Sequence, residues 1–182
     1  MSSHQPTSKA LTIKHLQSQA LTNLPNNTLY IALWIRDDPP QPNDFHWALY
    51  VHDSESGGMR YEVTNVTNLG WITKHEWVGN IFKTNFLCVL VRIAELGVGG
   101  DEKVKLDAAI RSLDGRVNSV PGVTCRVWLF VIMEVLVKEG FVRCDGSGED
   151  LEEECKQLGN GASGAAAENQ QPRPVVVSSL CG

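Results

Sequence analysis

The chain has 182 residues and a formal net charge of −5, the length of one domain with some chain to spare. The charge is uneven: residues 146–182 hold six acids against two bases, so the preceding 145 residues carry only −1. No basic block and no Lys/Arg run interleaved with aromatics occurs, so the electrostatic footprint of nucleic-acid binding is missing, and no apolar run reaches the roughly 18 residues of a membrane span.

The N-terminus, MSSHQPTSKALTIKHLQSQ, has no apolar core of a secretory signal. The expected compartment is therefore the cytosol or nucleus. The five cysteines (Cys88, Cys125, Cys144, Cys155 and Cys181) are odd in number and form no CxxC pair, so a reducing compartment predicts free thiols throughout. His4, His15 and His75 have no metal-ligand spacing, and neither a metal nor an organic cofactor is expected.

Residues 1–27 form a polar segment with a weakly amphipathic stretch over 11–21, closed by the turn signal Leu24-Pro25-Asn26-Asn27. Residues 28–36 (TLYIALWIR) are apolar on both alternating faces and predict a buried strand. Three prolines in 37–44 (DDPPQPND) remove backbone donors and predict a loop. Residues 45–52 and 59–66 then read as a hairpin around the turn-forming cluster DSESGG. Residues 85–95 (NFLCVLVRIAE) predict a central strand, stopped by the glycines of 97–100. Residues 101–113 read as a helix whose apolar stripe is Val104, Ala108 and Ile110 to Leu113. Residues 124–139 give the strongest helical pattern, apolar nearly all round, with Gly140 as its stop. Residues 141–144 suggest a short last strand. From 146 onward the composition turns to Gly, Ser, Ala, Asn, Gln and acids, and the expectation is a disordered tail over 146–182, Val175 to Val177 included. The domain proper is then 28–145, in the α+β class, with an antiparallel sheet packed against a central buried helix.

Two residues suggest chemistry. Cys125 opens the strongest helix directly after Thr124, a residue suited to capping a helix N-terminus. The positive end of a helix favours a thiolate, and Arg126 beside it reads as pushing the same way. The bland alternative is a small buried core cysteine. His46 opens the strand HWALYVH, and imidazole is the usual base for a thiol; the alternative is a histidine packed at a strand edge beside Trp47.

A third group would orient the imidazole. If the hairpin is centred near Ser56-Gly57, His46 faces Asn65, and opposed residues share a face. Asn65 is then the leading orienter. A one-residue slip would substitute Thr64 or Val66, and Glu62 on the same strand is a further alternative.

The segments His46-Trp47-Ala48-Leu49-Tyr50 and Thr124-Cys125-Arg126-Val127-Trp128, in that order, resemble the circularly permuted papain-like fold. It occurs in lecithin retinol acyltransferase-like proteins and in permuted relatives of NlpC-type peptidases. The Cys-Arg-x-Trp segment also resembles a group of fungal proteins with a similar His-Trp strand. The resemblance spans about residues 28–143 and implies a Cys125–His46–Asn65 site for hydrolysis or acyl transfer at an amide, ester or isopeptide bond. Acyltransferase-like members carry a second histidine on the neighbouring strand. This chain has none between His52 and His75, which favours Cys-His-Asn hydrolysis. A peptide, protein or acyl substrate is implied. The competing expectation is a catalytically silent scaffold used as a binding module.

Overall fold

The structure is a computed structural model and describes residues 8–65 and 70–182. His4 and Val66 lie outside the described residues. Among the described residues, six strands form one sheet in the order β4-β3-β2-β1-β5-β6. They are β1 (Thr28–Ile35), β2 (Phe45–Ser54), β3 (Gly57–Thr64), β4 (Ile72–Val78), β5 (Leu87–Glu95) and β6 (Val175–Val177). All neighbours are antiparallel except β5 and β6. The α-helices are α1 (Ser8–Thr22), α2 (Gly100–Ile110), α3 (Cys125–Lys138) and α4 (Gly148–Ala167).

β1 is buried at every position, which is why its sequence is apolar without alternation. Leu29, Ile31, Leu33 and Ile35 point to one core with Trp128, Leu129 and Ile132 of α3. Tyr30, Ala32 and Trp34 point to a second core with Leu21 of α1, Leu24, Ile81 and Phe82. The sheet is thus covered on both faces. α2 keeps Leu106 and Ile110 in the first core, while Val104, expected in its apolar stripe, is exposed. β4 was not legible as a strand: it is a half-exposed edge with little apolar signal.

The disordered tail expected over 146–182 is corrected. α4 begins with a capping box, in which the Ser147 side chain receives the Asp150 N–H and the Asp150 carboxylate receives the Ser147 N–H. Leu151, Cys155, Gly159, Ala162 and Ala166 form its buried stripe, spaced for one helix face. The small residues that resemble a linker composition let this helix lie close to the sheet. A Cβ at Gly159 would sit 2.8 Å from the Phe45 ring and 3.1 Å from Leu33. The Arg173 guanidinium donates to the Ala165 and Ala166 carbonyls at the end of α4. β6 then pairs with β5, and Cys144 and Cys181 form a disulfide. That bond also corrects the expectation of five free thiols: Cys88, Cys125 and Cys155 are free and buried. Of the expected strand over 141–144, only a bridge from Cys144 to Cys181 forms.

Candidate active site

The β2–β3 hairpin decides which side chains meet His46. Glu55 and Ser56 make the turn, and Ser54 pairs with Gly57, as the predicted register requires. A bulge at Asp53 then adds one residue to β2, so that His52 pairs with Gly58 and Leu49 with Tyr61. One extra residue exchanges the two faces of everything beyond it. Continuing this register sets Thr64 level with His46, places Glu62 two residues along the same face, and moves Asn65 to the other face. Asn65 is exposed at the rim of the cleft, and no hydrogen bond joins it to His46 among the described residues. Its expected place beside the imidazole is taken by Glu62.

The β2–β3 ladder stops at Leu49↔Tyr61. Beyond it, β2 stays paired with β1 as far as Phe45, and β3 with β4 as far as Thr64. The sheet splits here. The start of α3 brings Cys125 to the split, with Sγ 3.9 Å from the Phe45 carbonyl oxygen. Thr124 caps the helix as expected, its Oγ1 accepting the Val127 N–H at 3.1 Å. Cys125 is therefore the first residue inside α3, at the positive end of the helix.

His46 lies across from Trp34 of β1, with ring centroids 5.9 Å apart. Its Nε2 is 2.6 Å from Glu62 Oε2, and it lies close enough to Cys125 for each group to shift the protonation of the other. Burial works to lower the His46 pKa, but the hydrogen bonds and charges of Cys125 and Glu62 outweigh it and raise it to about 9. Burial likewise works to raise the Cys125 pKa. The hydrogen bond and charge of His46, with the Trp47 and Arg126 backbone N–H groups, outweigh that and hold the thiol below its ordinary value. The two shifts have opposite directions, as expected for a thiolate–imidazolium pair.

Glu62 is buried, with its side chain 7 % exposed. Arg60 Nη2 lies 3.1 Å and Lys74 Nζ 3.6 Å from its Oε1. Desolvation raises its pKa, but the His46 hydrogen bond and the charges of Arg60, His46 and Lys74 outweigh it, so Glu62 stays ionised below the usual carboxylate value. The Arg60 guanidinium also lies over the Trp34 ring, 5.7 Å from its centroid. The His46–Glu62 pair is thus braced by two bases and an aromatic wall.

Arg126 departs from expectation. Its guanidinium pairs with Glu152 of α4, which also receives Lys156. What Arg126 gives the thiol is its backbone N–H. The cleft over Cys125 and His46 has a volume of about 680 Å³ and is walled by residues such as Phe45, Thr64, Trp71 and Arg126, within the size range of small-molecule and peptide sites. Among the described residues, no group of three or more His, Cys, Asp and Glu side chains is placed to hold a metal ion, and no helix is long and apolar enough to cross a membrane.

Glu62 is the residue that sequence reasoning underrated. Glu62 is the one acid in β3, which is the signal for it, but only the bulge decides its face. Comparison with curated proteins and with solved structures yields no match. A family model does match residues 26–154, the span that contains His46, Glu62 and Cys125, and the chain belongs to that family, described as a family of unknown function (DUF6914).

Proposed function

We propose that this domain is a thiol hydrolase acting on an amide, ester or isopeptide bond, with Cys125 as nucleophile, His46 as proton carrier and Glu62 as the group that orients His46. The observation that carries the reading is that Cys125, at the start of a helix, and His46, held 2.6 Å from Glu62, line one open cleft, each shifting the other's protonation. Thiol catalysis needs a base on the sulfur and a fixed ring on the base.

The Cys125 thiolate adds to the carbonyl carbon. The C–N or C–O bond breaks, and the leaving amine or alcohol takes the proton held by His46. This leaves a thioester on Cys125 and a neutral imidazole. Water then adds to the thioester as His46 takes its proton. The C–S bond breaks, the acid leaves, and thiolate and imidazolium return. Acyl transfer would follow the same first half with another acceptor in place of water. The backbone N–H groups of the first turn of α3, beside Cys125, are the donors this reading assigns to a developing oxyanion.

The same reading extends to the fold. A histidine strand that precedes a cysteine helix, both meeting at a split in an antiparallel sheet, supports a permuted papain-like arrangement. The orienting acid on the hairpin partner stands where the resemblance implied an amide.

Labelling with a panel of electrophilic acyl and peptide probes tests the function and sorts the substrate class together. Cys125 is expected to be the labelled residue, with labelling lost in Cys125→Ala and strongly reduced in His46→Ala. Failure of every probe to label Cys125 in the folded protein would favour a catalytically silent binding module.

A further inference from the structure

The charges around the cleft do not cancel. Among the described residues, six titratable ones line it: Arg36, Asp44, His46, Cys125, Arg126 and Lys156. Cys125 and His46 neutralise each other as a thiolate–imidazolium pair. Arg36 and Asp44 pair across 3.3 Å. Arg126 and Lys156 share a single partner, Glu152, which does not itself line the cleft. The wall formed by α3 and α4 therefore carries two cations against one carboxylate. The Arg126 side chain is 43 % exposed, so the fork of N–H donors on its guanidinium is only partly used by Glu152. The other polar lining groups are neutral: Asn43, Thr64, Asn65 and Thr124. Trp47 and Trp71 supply the apolar wall.

We infer that the acyl group received by this cleft is anionic, with a carboxylate that lies against Arg126 and Lys156 while Cys125 meets the carbonyl. This inference deepens the thiol-hydrolase reading and rests on it. A neutral or cationic acyl group would leave the excess positive charge without a counter-charge and would displace solvent from it at a cost. An acidic one completes the pairing that Glu152 only half supplies, and a guanidinium is suited to two-point binding of a carboxylate.

Iodoacetate and iodoacetamide test this directly. They have nearly the same size and attack the same sulfur, but only the first is an anion. Their rate constants for Cys125 in the full chain, read by mass spectrometry near pH 7 and low salt, give a ratio that isolates charge. His46 contributes to that ratio in every protein that retains it, so the comparison is among variants with His46 intact. Lys156→Gln and Arg126→Gln are each expected to lower the iodoacetate-to-iodoacetamide ratio by roughly threefold or more, the size of a nearby Coulomb interaction in a partly hydrated site. Glu152→Gln is expected to raise it, an opposite sign that general damage to the fold would not produce. In the unmodified protein, added salt should lower the ratio by screening. A ratio unchanged by all three substitutions, with iodoacetamide still labelling Cys125 rapidly, would overturn the anionic-substrate inference and leave the thiol-hydrolase reading standing. If neither reagent labels Cys125 in the folded protein, both fall together.

Discussion

Glu62 Oε2 sits 2.6 Å from His46 Nε2 because a single bulge at Asp53 sets both residues on one face of the hairpin. Without that bulge the face of His46 would carry Asn65 and Val63 in place of Thr64 and Glu62. The difference matters chemically: a carboxylate stabilises an imidazolium, whereas an amide only orients it.

Replacing Glu62 by Gln should therefore lower the His46 pKa from its value near 9, which NMR titration of the imidazole would show. Turnover of an identified substrate should drop by an order of magnitude or more, up to the roughly 10⁴-fold seen when a ring-orienting acid becomes an amide. Asn65→Ala should have little effect on either readout. An unchanged His46 titration in the folded Glu62→Gln protein would remove Glu62 from its proposed role.

The raised His46 pKa also predicts a pH dependence of stability. The group is held protonated in the folded state, so its contribution is fully present below its unfolded value of about 6.5 and is lost as pH rises through about 9. The depressed Glu62 pKa contributes above the ordinary carboxylate range and is lost in acid. Thermal melts should show His46→Gln less stable than the unmodified protein near pH 6.5, with the gap closing above pH 9. A gap of constant size across that window would contradict the shift.

Gly159 and two of its neighbours on α4 make opposite predictions. Gly159→Val would drive methyl groups into the Phe45 ring and Leu33 and should cost about 1–3 kcal/mol, the usual scale of overpacking. Gly161 and Gly164 have open space where a Cβ would go. Gly161→Ala and Gly164→Ala should each stabilise by up to about 1 kcal/mol through helix propensity. Denaturant unfolding of the three variants separates these outcomes. If Gly159→Val is neutral, α4 does not press on the sheet.

The Cys144–Cys181 bond closes a sequence separation of 37 residues and fastens the segment that contains α4 and β6. Cys181→Ser should destabilise by roughly 2–4 kcal/mol through the freer unfolded chain. The same loss should follow from adding a thiol reductant to the unmodified protein. A midpoint insensitive to both would show that the segment is held by packing alone.

Much of the scaffold could be read from local pattern. The unbroken apolar run of β1, the prolines that follow it, and Thr124 and Gly140 at the two ends of α3 each carry their own physical signature. Cys125 and His46 were legible for the same reason, since a residue type at a helix start or on a strand can be seen in one segment. What was not legible depends on contacts between distant segments. α4 looks like a linker because its buried stripe beyond Leu151 is built from Gly, Ala and Cys; only the close approach to Phe45 and Leu33 makes that stripe a core. The register at Glu62 depends on one bulge residue in a six-residue turn cluster. In the sequence Arg126 stands as a charge beside the thiol, because its partner, Glu152, comes from a helix that the local pattern does not show.

The most direct measurement of the Cys125–His46 pairing is the rate of Cys125 alkylation by iodoacetamide as a function of pH, in the unmodified protein and in His46→Ala. The ionised thiol is the reactive form, and His46 is the leading partner that stabilises it. The unmodified protein should react near neutral pH, well ahead of Cys88, whose pKa burial raises to about 11. In folded His46→Ala the profile should move to higher pH and the rate near pH 7 should fall. An unshifted profile and full Cys125 reactivity in folded His46→Ala would contradict the pairing.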